Sequence, residues 1–173
     1  MPEITLSIPC EAYLSQWFLN DSGGAQPIRL RKFSPEHHLL RVLLVNKNLS
    51  NLSRNPAIVG QTECAHNPKL EIIIPSFKGM PPEIYNHITP RGEKVFTDLL
   101  RKRFDLELFQ DMIPVLQYAP RRDELIWAWM ESHNIEPTET NYLAIDKRLQ
   151  RMLNRLRTRQ RVADYRRRKR SQK

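Results

Sequence analysis

Five glycines in 173 residues are too few to build a glycine-rich phosphate cradle, and neither GxGxxG nor GxxxxGK occurs in the chain. Two cysteines, Cys10 and Cys64, are too few and too far apart for a disulfide framework. No run of about 18 apolar residues is present, and no charged start leads into an apolar segment. The expected setting is therefore a reducing cytoplasm, with no membrane contact and with both thiols serving as small core residues. Catalytic constellations are also missing. His37 and His38 are adjacent on an expected helix, so they point about 100° apart and cannot share a metal. Cys64-Ala65-His66 has no second ligand pair at a zinc-like spacing. Glu83 after Pro81-Pro82, and Asp105 with Glu107, lack partners that would make them an acid–base pair. These absences predict a non-enzymatic protein without cofactor or metal. A nuclease with carboxylates drawn from distant segments is the remaining enzymatic alternative.

Thirteen prolines against five glycines predict stiff connections between elements rather than flexible linkers. The length suits one compact domain or a small domain with an appendage. Ile4, Leu6 and Ile8 alternate with Thr5 and Ser7, the period of a half-buried strand, and Pro9 ends it. Residues 11–19 carry Tyr13, Leu14, Trp17 and Phe18 at helical spacing, and residues 20–24 form a turn. A second strand is expected at Ile28 to Arg31. Ser34-Pro35-Glu36 has the hydroxyl, proline and acid of a helix start, for a helix reaching about Val45. Residues 46–68 read as a long loop with a short strand at Ala57-Ile58-Val59. The β-branched run Leu70 to Ile74, stopped by Pro75, is the clearest strand.

Beyond the proline-punctuated crossing, everything reads as helix. Arg91 to Phe104 carries one stripe, and Asp105 is placed to cap a further helix ending at Pro114, unless the two form one bent helix. Asp123 is expected to cap the next helix, with Leu125, Ile126, Trp129 and Met130 inward. Trp127, two residues from Trp129, is expected to be partly exposed, touching the front half or the next helix rather than offering a stacking platform. The predicted class is α+β: a small strand-containing region over 1–76, a helical region over 77–156, and a basic arm over 157–173.

The positive charge is concentrated at one end. The chain carries 28 Lys/Arg and 19 Asp/Glu, and the 27 residues from Lys147 to Lys173 hold 13 of the bases but a single acid, Asp164. The other 146 residues keep 15 bases and 18 acids, so the body is mildly acidic and the excess is segregated. Residues 123–156 read as helix, four-residue turn and helix, with Ile135 as an apolar plug and Thr138 as the second cap, a helix-turn-helix layout. On the second helix Tyr142, Ile145, Leu149, Met152, Leu153 and Leu156 form an apolar stripe that reads as core. Arg148, Arg151, Arg155 and Arg159 run along a neighbouring face. After Leu156 the stripe stops, and Arg157, Arg161, Arg166, Arg167, Arg168, Lys169 and Arg170 continue the charge that begins at Lys147. Ten of the 13 bases are arginine, whose planar fork suits phosphate. Free in solution, Arg166 to Arg170 is expected to fray through mutual repulsion.

The segments Ile4 to Cys10, Ile74 to Phe77, Trp127 to His133 and Thr138 to Asn141 resemble a family of small uncharacterised basic proteins from Bacteroides-type gut bacteria. That resemblance implies a bacterial, cytoplasmic setting, with a place on mobile elements, and no activity or residue roles. The expectation overall is a nucleic-acid-binding regulator or accessory factor of replication or mobile elements, with DNA favoured over RNA. The front half would supply a partner contact or homodimer surface. The alternative is an interaction module whose arm docks on an acidic protein.

Overall fold

A computed structural model describes residues 3–46, 68–116, 118 and 121–171 of the chain. The strand expected at Ala57-Ile58-Val59 and the pair Cys64 and His66 lie outside them. The described residues are α+β, with strands confined to the front part and helices filling the rest. The elements are β1 (Thr5–Pro9), α1 (Ala12–Asp21), β2 (Ile28–Arg29), α2 (Pro35–Leu43), β3 (Leu44–Val45), β4 (Lys69–Ile73), β5 (His87–Ile88), α3 (Pro90–Leu116), α4 (Arg122–Ser132) and α5 (Glu139–Ser171). They divide into two compact units, Met1–Phe104 with His133–Ile135, and Asp105–Ser132 with Glu136–Lys173.

The first unit is built on a sheet of order β1-β4-β2. β1 pairs antiparallel with β4, Leu6 opposite Ile72 and Ile8 opposite Leu70, whereas β2 joins β4 in parallel. The alternation of β1 appears directly in its burial: Leu6 and Ile8 are buried while Thr5, Ser7 and Pro9 are exposed. Side chains of α1 and of the first half of α3 add the aromatic part of the core. Tyr13 and Trp17 meet Phe104 edge-on, at centroid distances of 5.1 and 5.4 Å. Each such ring contributes roughly 2–3 kcal/mol by leaving water.

Ser34 caps α2 as expected, its hydroxyl accepting from the His37 N–H at 3.1 Å. The helix stops at Leu43, however, and does not reach Val45. Leu44 turns into extended backbone, and Leu44–Val45 pairs antiparallel with His87–Ile88. β5 was not foreseen, because two residues between prolines carry too short a period. Thr89-Pro90 repeats the start chemistry of α2, with the Thr89 hydroxyl accepting from the Gly92 N–H at 3.1 Å. Gly92 is required there, since a Cβ would stand 2.5 Å from Ile88. From Pro90 the chain is one helix through Leu116, so Asp105 caps nothing and lies inside it. Pro114 does not end the helix, which runs two residues past it to Leu116, although its ring can donate no bond to the Gln110 carbonyl.

The polar centre of the first unit is Glu36, whose side chain is only 2% exposed. Arg103 forks between Glu36 at 2.8 Å and Asp21 at 2.7 Å, and its guanidinium also lies over the Trp17 ring. Burial pushes the Glu36 carboxyl up, but the Arg103 hydrogen bond, backbone donation, the Arg103 charge and Ser34 outweigh it and hold the group below its ordinary range. A carboxyl with a depressed folded value stabilises the fold above its unfolded value of about 4.3 and loses that contribution as pH falls through the folded one. Glu36→Gln is therefore expected to cost about 3 kcal/mol at pH 7 in urea unfolding. The gap to the unsubstituted chain should be constant through pH 6–7 and shrink below about pH 4.

Candidate nucleic-acid interface

The second unit anchors the helix that carries the charge. α4 begins at Arg122, one residue before the expected cap, so Asp123 sits in its first turn, where a carboxylate complements the positive end of the helix dipole. It also accepts from the Tyr142 hydroxyl of α5 at 3.0 Å. Trp127 is 36% exposed and lies face to face with Tyr142, at 4.8 Å between ring centroids and 12° between planes. Contact with the next helix thus occupies one face of the ring, as expected. Arg122 binds the side chains of Asp146 and Gln150 on α5. Trp129 donates its indole N–H to Asp111 in α3 at 3.0 Å. Beneath these polar ties lie Leu108, Met112, Ile126, Met130, Ile145 and Leu149, all buried.

The turn preceding α5 is tight. Asn134 takes a left-handed conformation, φ 52°, which asparagine tolerates better than most residues, and Ile135 is buried. Thr138 caps α5, its hydroxyl accepting from the Asn141 N–H at 3.3 Å. Asn141 is itself buried, and its side-chain amide donates to the Glu136 carbonyl at 3.0 Å. Its side chain thus closes the turn.

Along α5 the apolar stripe is buried only at Ile145 and Leu149, while Tyr142, Met152, Leu153 and Leu156 are partly covered. From Arg157 to Lys169 every residue is exposed. The helix nevertheless continues through Arg166–Arg170 to Ser171, where fraying was expected. Arginine has high helix propensity, the stretch holds no glycine or proline, and cations in a last turn complement the helix dipole.

The predicted site residues therefore fall into two groups. Arg148 is only 18% exposed in its side chain and binds Asp105 at 2.8 Å, so its guanidinium is engaged within the unit. Lys147, Arg151, Arg155, Arg157, Arg159, Arg161, Arg166, Arg167, Arg168 and Lys169 are exposed, and Arg170 continues the same helix. Val162 and Tyr165 stand exposed among them, a feature that charge counting alone passed over. Comparison with family models, curated proteins and solved structures finds no match for this chain.

The contrast between the groups is measurable as stability. Asn141→Ala should lower the unfolding free energy by about 1–2 kcal/mol, through a lost buried hydrogen bond. Arg148→Ala should cost about 1 kcal/mol, since the Asp105 partner is partly solvated. Arg155→Ala should fall within about 0.5 kcal/mol of the parent.

Proposed function

We propose that this protein binds duplex DNA by its phosphates through the exposed portion of α5, as a regulator or accessory factor rather than an enzyme. The observation that carries this reading is the row of exposed cations from Arg151 to Lys169, on a helix whose only acid past Leu156 is Asp164. Residues 157–171 make roughly 22 Å of helix at 1.5 Å per residue. Its eight bases stand about one per 2.8 Å, close to the roughly 3.4 Å between phosphates along one strand of a DNA duplex.

Shape favours DNA over RNA. A helix about 10–12 Å across fits a B-form major groove about 12 Å wide, whereas the deep, narrow major groove of A-form RNA excludes it. Arginine adds paired hydrogen bonds to phosphate and sheds water more readily than lysine. Contacts of this kind position a protein without reading sequence. The engagement of Arg148 by Asp105 inside the second unit argues in the same direction, since it withdraws the arginine nearest the start of the helix from base edges.

Gel shifts on duplex DNA, single strands and RNA, with the whole chain and a version ending at Leu156, test the reading. The whole chain should shift duplex DNA most strongly and without sequence preference, and the shortened chain should lose the shift. Changing Arg157, Arg159 and Arg161 together to glutamine should flatten the slope of log affinity against log salt by about 2–3. No shift at low salt, or a shortened chain that binds as well as the whole one, overturns the proposal. Retention on polyglutamate equal to that on DNA points instead to an acidic protein partner.

A further inference from the structure

The first unit contains a cleft of about 660 Å³ that the arm's proposed role does not use. Arg29 and Leu30 line it where β2 leaves the sheet, and Ile73 and Ile74 line it where β4 does. These are the carboxyl ends of the parallel pair, the end at which open sheets commonly receive ligands. Its volume falls within the range of small-molecule sites, roughly 300–1,000 Å³.

Two features of the lining are not accounted for by packing. Phe33 has φ 67° and is 81% exposed. A bulky side chain in the left-handed region carries a steric cost, and an exposed ring recovers little of it by burial. Such strain at a cleft edge is a recurrent mark of ligand clamps. Nearby, the His37 ring sits against Phe77, 4.9 Å between centroids, with its Nδ1 buried and without a hydrogen-bond partner. A buried polar atom of that kind calls for a ligand or water to satisfy it. Burial, followed by the charges of His38, Lys32 and Arg41, holds the His37 imidazole below its ordinary range, so it is neutral at pH 7.

The charged groups narrow the ligand's chemistry. Arg29 is paired with Glu3, whereas Lys32 and Glu83 have no ion-pair partner among the described residues. We propose that the cleft binds a small ligand with a planar heteroaromatic ring, N–H donors on its edge and an anionic substituent, the chemistry of a nucleoside monophosphate. Phe33 stacks on the ring, Glu83 and His37 meet its polar edge, and Lys32 meets the anion. A guanine edge suits a carboxylate particularly well, because N1–H and the N2 amino group donate side by side. The site is independent of α5.

The test is calorimetric titration of the whole chain at high salt with guanosine monophosphate, adenosine monophosphate and inorganic phosphate. Guanosine monophosphate should bind with one site and more tightly than the other two. Phe33→Gly should weaken it on the order of tenfold through lost stacking without lowering the thermal midpoint. Glu83→Gln, at an exposed position, should remove the preference for guanine over adenine. The glutamine changes at Arg157, Arg159 and Arg161 should leave binding intact. No heat with either nucleotide at millimolar concentration, equal binding of inorganic phosphate, or unchanged affinity in Phe33→Gly would each sink the proposal.

Discussion

A buried carboxylate must be matched by a cation, and in the first unit that demand fixes the arrangement of three helices. Glu36 projects from the first turn of α2, Asp21 ends α1, and Arg103 on α3 reaches both. None of the three could shift by a helical turn without leaving Glu36 uncompensated, a far larger penalty than the modest value of a solvated ion pair. The aromatic core packs within the same constraint, because Trp17 lies under the Arg103 guanidinium and against Phe104. Apolar burial supplies most of the stabilisation in this unit, while the arginine fork specifies how its helices register. That division is common in small cores, where many apolar packings are nearly equal in energy and few polar ones are satisfied.

The second unit applies polar matching differently. Arg122, Arg148, Trp129 and Tyr142 each donate to a carboxylate within the unit, and these ties hold the first part of α5. Beyond Leu156 the buried stripe does not continue, and every residue from Arg157 to Lys169 is exposed. The net charge of the whole chain, +9, therefore misdescribes both parts: the body is mildly acidic, and much of the basic segment projects from a helix that its packed portion supports.

The strands β1 and β4 and the start of α2 were legible because each rests on a local signal: alternation, a β-branched run, or the Ser34-Pro35 start. The helix pair of residues 123–156 was legible for the same reason. What could not be read was decided by partners distant in sequence. Leu44 and Val45 looked helical by composition, but they pair with His87 and Ile88, whose two-residue strand has no period of its own. Asp105 carried a plausible capping signal, yet α3 passes straight through it; a cap preference is weak against continuous helix former sequence on both sides. For the candidate interface, the positions of the cations were visible, but their availability was not. Arg148 looked equivalent to Arg155, and only the placement of Asp105 separates them. Phe33 gave no signal at all, since left-handed backbone at a non-glycine residue is invisible in a sequence.

The arm's helicity and its charge are in opposition, and that opposition limits what the segment can do. Like charges three and four residues apart weaken a helix by a few tenths of a kcal/mol each, and within Arg166 to Arg170 every residue is cationic. Helix propensity, the absence of breakers and the favourable placement of cations near a C-terminus offset this cost, with the packed half of α5 serving as a nucleus that need not be formed again. A helix begun in that way can extend into solvent where an isolated peptide of the same sequence would be marginal. Neutralising the charges along a line of phosphates would remove the opposing term, so binding and helix stability would reinforce each other. A short acidic patch could relieve only the few arginines it reached, whereas a polyanion longer than the roughly 22 Å arm could relieve them all. That difference in extent, rather than the sign of the charge alone, is the physical reason for preferring nucleic acid as the partner.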